Sequence, residues 1–349
     1  MKVLGWPAYR KPPWNPYTEL LYRHVEALGV EVVEASPRRV LRARRSIVHP
    51  HWPEALWNDP RLWRAALRST AMVLLLAVAK LRGNRVVWTA HNLAAHERLH
   101  PRMERLFWWV FTRQVDGVLA LSESGLAAAR RHNPALGRVP GSVAPIGHFR
   151  DVYAMAPPRP EARASLGMEP DRRVIAFVGR IRPYKGVVGL IRAFRGMLDS
   201  SAALLVAGRI DDEVLEREVR AAGGGDPAVR LELRYVDDAE LPVILSASDL
   251  VALPFRETQN SASAILALSF DRPVLVPAIG ALPELQRLVG PDWVRTYHGD
   301  LTPEILASAL DWATAPGRPV RPDLSALEWT AIAERTVGAY REVLGGAVD

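Results

Sequence analysis

The sequence predicts an α/β protein built from two Rossmann-like, doubly wound domains that face each other across a cleft. Its 349 residues exceed one ordinary core. Both halves alternate short apolar runs with amphipathic segments, which is the pattern of strand–helix–strand units in a parallel sheet. A proline-rich stretch near residue 150 separates the halves. We therefore predict domains at 1–150 and 173–327, a linker at 151–172, and a C-terminal helix at 328–349 that completes the first domain.

In the first domain, a strand begins at the N-terminus and a helix begins at Asn15-Pro16, a capping side chain followed by proline. That helix should end at Gly29. The apolar segment 71–78 is far shorter than the roughly 20 residues of a membrane-spanning helix, so we expect a buried helix there. Further strands are predicted at the following positions: 30–33, 47–49, 85–89 and 118–121.

The second domain repeats the alternation. Its strands are predicted at 174–178, 203–207, 229–236, 250–254 and 274–276. In open α/β sheets, ligands bind outside the carboxyl ends of the strands, so the residues directly after each strand are the candidates for chemistry.

Composition narrows the class of protein. The chain has no cysteine, which excludes disulfides, thiol nucleophiles and thiolate metal sites. No basic and then apolar leader follows Met1, so we expect a cytoplasmic protein that is at most peripheral on the inner face of the membrane.

Charge is unevenly distributed along the chain. Residues 1–150 contain 23 Lys and Arg against 10 Asp and Glu, whereas the remainder is net acidic. Such a basic half favours an anionic partner, with a compositional bias toward arginine as the alternative. An arginine run (Arg38, Arg39, Arg42, Arg44, Arg45) and the segment Leu106-Phe107-Trp108-Trp109 are the candidates for contact with an anionic membrane surface.

The strongest candidate for phosphate binding follows the first strand of the second domain. Gly179 allows close approach of the backbone to a ligand, while Arg180 and Lys185 supply the positive charges that grip a diphosphate. The segment is not a Walker loop, and neither domain has a Gly-x-Gly-x-x-Gly fingerprint. A basic surface turn is the alternative.

A second candidate precedes an apolar helix at 264–270. Asn260, Ser261, Ala262 and Ser263 would place free backbone N–H groups and the positive end of the helix dipole against an anion. Simple N-capping by Asn260 or Ser261 is the alternative, and both can hold together.

Together, these motifs resemble the donor half of GT-B glycosyltransferases, most closely the bacterial family-4 type. The resemblance rests on Gly-Arg-Ile-x-x-x-Lys-Gly at 179–186, Leu-x-Val-Ala-Gly at 204–208, Ser-Asp-Leu-Val-x-Leu-Pro at 248–254 and Ala-Leu-Ser-Phe-Asp-Arg-Pro-Val at 267–274. It implies that Arg180 and Lys185 hold the donor diphosphate and that Asn260 to Ser263 cradle phosphate and sugar. It also implies that the nucleobase is received at the backbone of the following residues: Arg234, Tyr235 and Val236.

The sequence departs from that family at two positions. Thr258 and Leu266 stand where family-4 enzymes usually have glutamates, and Glu257 is one residue out of register. The resemblance therefore does not imply that this chain recognises the ribose as family-4 enzymes do, or that it retains the anomeric configuration of the donor sugar. Segments 15–22, 51–54 and 89–92 resemble exopolysaccharide mannosyltransferases, which implies a GDP-mannose-type donor.

On the acceptor side, His91, His96 and Glu97 follow a strand and are the candidate catalytic bases, since a base should titrate near neutral pH. Structural hydrogen bonding is the alternative for each histidine, and core packing for each tryptophan. The predicted acceptor-binding residues are Trp6, Trp14, His51, Trp52, Asn92 and His148.

The predicted function is metal-independent transfer of a hexosyl group, with mannose from GDP-mannose as the first choice, to a glycan or lipid-linked acceptor. No His-Glu-x-x-His or Asp-x-Asp motif is present, so we expect no metal and no cofactor beyond the nucleotide-sugar co-substrate. A UDP-sugar-dependent retaining enzyme of the same fold is one alternative. The others are a basic nucleic-acid-binding protein, disfavoured because no reading module is recognisable, and an inactive scaffold.

Overall fold

The computed structural model describes residues 1–10, 16–57, 59–91 and 99–345. The chain divides into two compact units. The first contains Met1–Gly147 together with Leu327–Asp349, and the second contains His148–Ala326.

The first unit is a parallel sheet of six strands in the order β2-β1-β3-β4-β5-β6. Its strands are β1 (Lys2–Trp6), β2 (Glu31–Glu34), β3 (Ile47–Pro50), β4 (Arg85–Ala90), β5 (Gly117–Ala120) and β6 (Gly141–Val143). Its helices are α1 (Tyr17–Ala27), α2 (Pro37–Arg42), α3 (Leu62–Leu81), α4 (Pro101–Gln114), α5 (Glu123–His132) and the C-terminal α13 (Trp329–Val343).

The second unit has a parallel six-stranded sheet in the order β12-β11-β10-β7-β8-β9. Its strands are β7 (Arg173–Val178), β8 (Ala202–Ala207), β9 (Val229–Glu232), β10 (Leu250–Ala252), β11 (Val274–Pro277) and β12 (Val294–Tyr297). Its helices are α6 (Arg159–Ser165), α7 (Val187–Arg195), α8 (Glu213–Gly223), α9 (Glu240–Ala247), α10 (Ala262–Ser269), α11 (Leu282–Val289) and α12 (Pro303–Thr314).

The central strands form because their sequences are nearly continuous apolar runs. Every residue of β8 is buried, as in a strand covered by helices on both faces. The edge strands β6 and β12 were not predicted, since they are short and carry half-buried or polar residues. The predicted strand 229–236 ends earlier, at Glu232, and the chain beyond it forms a loop.

Two further predictions differ from the structure. The segment 151–172, predicted as a linker, contains α6, and Arg163 of that helix is buried with its guanidinium 2.7 Å from the carboxylate of Asp249. The apolar segment 71–78 lies within α3, but Leu74 is 60% exposed and Val78 is 39% exposed, so this helix is buried on one face only. Mean apolarity cannot distinguish a helix that is buried all round from one with an exposed apolar face.

The C-terminal helix α13 packs into the core of the first unit. Trp329, Ile332 and Tyr340 are buried in the same apolar cluster as Leu21 and Val25 of α1. The helix therefore covers one face of the sheet although it is last in the chain.

We expect Gly147→Ala to destabilise the first unit. A Cβ at this position would lie 2.3 Å from the indole ring of Trp329, so α13 would have to move. Overpacking of this kind costs about 1–3 kcal/mol, which should lower the thermal midpoint of unfolding by several degrees. Gly338→Ala in α13 is the control, because nothing lies within 4 Å of its added methyl group and alanine favours the helix. Equal midpoints for the two variants would contradict this account of α13 packing.

Candidate functional site

The loop after β7 is held by backbone contacts that only glycine permits. Gly208 has φ +157°, and a Cβ there would lie 2.0 Å from the carbonyl oxygen of Gly179. Gly186 has φ +70°, and a Cβ there would lie 2.1 Å from the carbonyl oxygen of Pro254. The loop after β7 therefore packs directly against the chain that follows β8 and against the chain that follows β10.

Lys185 lies in this loop with its ammonium 4.8 Å from the ring centroid of Phe255. Burial, and secondarily the nearby charge of Arg182, lowers the pKa of Lys185 to about 8. Among the described residues, no carboxylate lies within ion-pair distance of this ammonium. A half-buried cation without a counter-charge favours an incoming anion, because the anion restores the stability that desolvation removed.

Arg180, the predicted partner of Lys185, is engaged elsewhere. Its Nε donates to the carboxylate of Asp211 at 2.8 Å, and Asp211 also pairs with Arg209 at 2.6 Å. Arg180 is about half exposed, so this ion pair is screened by solvent and contributes little to stability. Nε and Nη2 of Arg180 are thus engaged by Asp211, whereas Nη1 has no hydrogen-bond partner within the described part of the chain.

The predicted phosphate cradle surrounds the start of α10. Ser261 caps the helix, with its Oγ accepting a hydrogen bond from the backbone N–H of Ala264 at 3.1 Å. Ser263 lies beside the loop after β7, because a Cβ placed on Gly179 would be 3.5 Å from its Oγ. The Oδ1 of Asn260 is buried and has no hydrogen-bond partner within the described part of the chain. This segment therefore both caps α10, through Ser261, and offers an unpaired polar atom, Oδ1 of Asn260, that is suited to a ligand.

The stretch predicted to receive the nucleobase follows the end of β9. Arg234 forms a two-pronged ion pair with Glu240, at 2.7 and 2.6 Å, and Tyr235 is 52% exposed. The Arg234 side chain is thus used within the second unit, and Val236 belongs to the loop rather than to a strand. Nucleobase contact by this backbone stays a prediction.

In the first unit, candidate residues follow the carboxyl ends of three adjacent strands. Trp6 ends β1, His51 follows β3 and His91 follows β4. The backbone N–H of His51 donates to the carbonyl oxygen of Trp6 at 2.9 Å. The indole of Trp52 stacks on the imidazole of His91, with ring centroids 4.5 Å apart. The structure therefore brings these four predicted residues together.

A buried chain of hydrogen bonds extends from His91 into the core. His91 Nε2 lies 3.0 Å from His51 Nδ1, and His51 Nε2 lies 2.7 Å from the Tyr22 hydroxyl. That hydroxyl is also 3.0 Å from His49 Nδ1, which the Tyr340 hydroxyl approaches to 2.6 Å. Only Nε2 of His91 is used in this chain of contacts.

The three histidines in this chain of hydrogen bonds are neutral at physiological pH. Burial lowers the pKa of His49 and of His91 to about 3, and lowers the pKa of His51 well below its usual range. The pKa of His91 thus lies well below the near-neutral value expected of a catalytic base. Since a neutral imidazole has one N–H, the direction of the hydrogen bonds decides which nitrogen of His91 carries the proton.

Sequence reasoning missed Tyr22 and Tyr340. Both lie on the buried faces of helices, where aromatic residues usually serve packing alone. The signal in the sequence that could have indicated them is that a tyrosine on a buried helix face needs a hydrogen-bond partner for its hydroxyl.

Other predicted residues are not in this cluster. His148 is the first residue of the second unit, where it is buried and its Nδ1 lies 3.4 Å from the backbone nitrogen of Arg150. Trp14, Asn92, His96 and Glu97 lie outside the described residues. Within the described ranges, no group of three or more histidine, aspartate or glutamate side chains is placed to hold a metal ion.

Comparison with known proteins identifies the family. A family model described as "Glycosyl transferases group 1" matches residues 172–311. The chain is 32% identical over 336 residues to a GDP-mannose:glycolipid 4-beta-D-mannosyltransferase of Xanthomonas campestris pv. campestris, covering 95% of this chain and 89% of that protein. The chain belongs to the glycosyl transferases group 1 family. This glycosyltransferase is a nucleotide-sugar-dependent hexosyltransferase, as predicted.

Solved structures identify the fold of this glycosyltransferase. Sucrose-phosphate synthase from Thermosynechococcus elongatus matches with a TM-score of 0.70 at 18% identity, covering 99% of each chain. Anabaena HepE in complex with UDP matches with a TM-score of 0.65 at 17% identity, also covering 99% of each chain. The prediction of two doubly wound units of the GT-B type is confirmed.

Donor binding should weaken as pH rises through the pKa of Lys185. An ammonium attracts a diphosphate and a neutral amine does not, so we expect binding to favour the protonated form of Lys185, which is lost in the free enzyme above about pH 8. The affinity of the preferred nucleoside diphosphate should fall about tenfold between pH 7 and pH 9 by this linkage, as measured by calorimetry.

Lys185→Met is the control, because it keeps an apolar side chain of similar length without the charge. It should bind the diphosphate weakly at every pH, with no fall above pH 8. The same fall in both proteins would show that another group titrates.

Proposed function

We propose that this glycosyltransferase transfers mannose from GDP-mannose to a hydroxyl of a lipid-linked glycan at the cytoplasmic face of a membrane, in the biosynthesis of an exopolysaccharide. The observation that carries the proposal is the half-buried ammonium of Lys185, which has no carboxylate at ion-pair distance in the described part of the chain, on a loop whose Gly179 lies against Ser263 of α10. This arrangement is suited to a nucleoside diphosphate. The 32% identity to a GDP-mannose-dependent relative over 95% of the chain supports GDP-mannose as the donor.

On the donor side, the reaction needs stabilisation of a leaving group. The bond between the anomeric carbon and the diphosphate breaks, and the electron pair leaves with GDP. Lys185 supplies a positive charge at that point, and the N-terminus of α10 adds its partial positive charge. We infer that these groups take the place of a metal ion, so transfer proceeds without one.

The acceptor hydroxyl attacks the anomeric carbon from the opposite side. The relative forms a 4-beta-D-mannosyl product, and the mannose of GDP-mannose is α-linked, so a β product here requires one inversion. Thr258 and Leu266 support inversion, because they occupy the places of the two glutamates of family-4 retaining enzymes.

The proton of the acceptor hydroxyl needs a base stronger than His91. With a pKa of about 3, His91 is suited to orienting the hydroxyl as a neutral hydrogen-bonding group. Trp52, stacked on His91, offers an apolar face to a sugar ring. We propose that Glu97 is the base that accepts this proton, with His96 as the alternative.

GDP should raise the thermal midpoint of unfolding, whereas UDP, ADP and TDP at the same concentration should not. A ligand at a hundred times its dissociation constant adds about 2.7 kcal/mol, a shift of some degrees. Lys185→Ala should abolish the shift and lower turnover by orders of magnitude while the protein stays folded. The product formed from GDP-mannose should have a β anomeric proton signal by NMR.

A shift with UDP alone would instead support a UDP-sugar donor of the same fold. An α-linked product would overturn inversion. Near-normal turnover by Lys185→Ala would overturn the assignment of the diphosphate site.

Glu97→Gln should lower kcat by about 10²–10⁴-fold, the usual contribution of a general base, with little change in KM. His91→Asn keeps a hydrogen-bonding group at its position and should raise KM for the acceptor more than it lowers kcat. Initial rates at saturating GDP-mannose would separate these effects. If Glu97→Gln retains kcat and His96→Asn loses it, the base is His96; a loss of kcat with His91→Asn alone would return that role to His91.

A further inference from the structure

Helix α3 carries apolar side chains on two opposite faces. Its inward face is buried in the core of the first unit and includes Met72 and Leu76. Its outward face carries a second row of apolar residues, here called the outer stripe: Trp63, Leu67, Leu74, Val78 and Leu81. These positions are separated by four, seven, four and three residues, so they share one side of the helix. A surface helix ordinarily presents polar residues on that side.

The side chains of the outer stripe are unusually exposed for apolar residues. Trp63 is 62% exposed, Leu67 is 63% exposed and Leu81 is 88% exposed. At 1.5 Å per residue, the stripe runs for about 27 Å along the helix axis. Contiguous exposed apolar surface on this scale indicates a contact site.

Two helices next to α3 contribute positive charge. Both α2 and α4 pack against α3. The three helices contain nine Lys and Arg and a single acidic residue, Glu104, which is buried. On α4, Leu106 and Trp109 are also exposed, and the guanidinium of Arg113 lies 4.1 Å from the centroid of the Trp109 ring.

Few of these cations are neutralised. Lys80 pairs with Asp116 at 2.7 Å, and Arg68 lies 3.5 Å from Asp59. Within the described ranges, Arg38, Arg42, Arg102 and Arg105 have no carboxylate at ion-pair distance. The surface of α3 and the two helices packed against it therefore combines exposed apolar side chains with arginines that have no carboxylate partner.

We propose that the outer stripe and its flanking arginines form a docking surface for an anionic lipid membrane. Apolar side chains enter the boundary between headgroups and acyl chains, tryptophan favours that boundary, and arginine binds anionic headgroups. A second copy of the chain fits this surface poorly, because two such faces would bring their unpaired arginines together. The inference rests on the proposed function for the lipid-linked acceptor, which such docking would bring within reach.

The helix lies on the membrane rather than across it. By length and composition α3 could span a bilayer. Its inward face, however, packs in one core cluster with Trp88 and Phe111, and spanning would require removal of that face from the core. The stripe alone is available to lipid.

The test is flotation of the full-length protein with vesicles of phosphatidylcholine, with and without phosphatidylglycerol. The protein should float with the anionic vesicles, and added salt should weaken binding because screening reduces the arginine contribution. The double variant Leu67→Glu/Leu74→Glu should lose at least about tenfold in vesicle affinity. So should Arg102→Glu/Arg105→Glu, by roughly the same factor.

The matched control is Leu198→Glu/Val320→Glu in the second unit, where two fully or largely exposed apolar residues are replaced in the same way. It should bind vesicles like the wild type. The GDP-induced thermal shift, measured on every protein, should be unchanged in all three variants.

Failure of the wild type to float, or full binding by the stripe variant, would overturn the docking surface while leaving the donor assignment intact. A wild-type dimer that the stripe variant abolishes would overturn it in favour of a subunit interface. Vesicle binding without any GDP shift would overturn the proposed donor and leave the docking surface standing.

Discussion

Parallel pairing of the strands is the constraint that places the chemistry of both units. In a parallel sheet every strand ends at the same edge, so the loops that follow neighbouring strands meet there. In the second unit this brings the chain after β7 against the chain after β10, close enough that Gly186 cannot carry a Cβ. In the first unit it brings Trp6, His51 and His91 together. The carboxyl edges of the two sheets are therefore where the reactive side chains gather.

The two edges differ in how burial acts on their ionisable groups. In the second unit, partial burial of Lys185 leaves an ammonium whose charge is costly until an anion arrives, so desolvation favours the binding of an anion there. In the first unit, burial of His49, His51 and His91 removes their charge altogether. The same physical effect therefore favours anion binding on one side and a fixed, neutral hydrogen-bonding network on the other.

The structure also shows where part of the basic charge of the first half lies. Arginines that are scattered along the sequence come to lie near one exposed apolar helix, α3, because α2 and α4 both pack against it. The net charge alone could not distinguish a lipid surface from another polyanion. A row of exposed leucine, valine and tryptophan side chains between the arginines favours lipid, since polyanions in water offer little apolar surface.

The sequence by itself determined the two α/β units, most strand positions and the helix cap at Ser261. These follow from local periodicity and from motifs contained within a few residues of one another. The tertiary structure alone decided which predicted groups are already engaged, such as Arg180 with Asp211, and joined Tyr340 to His49 across 291 residues. It also decided which apolar face of α3 is covered. Burial, pKa and partner choice depend on atoms distant in the chain, which no local pattern encodes.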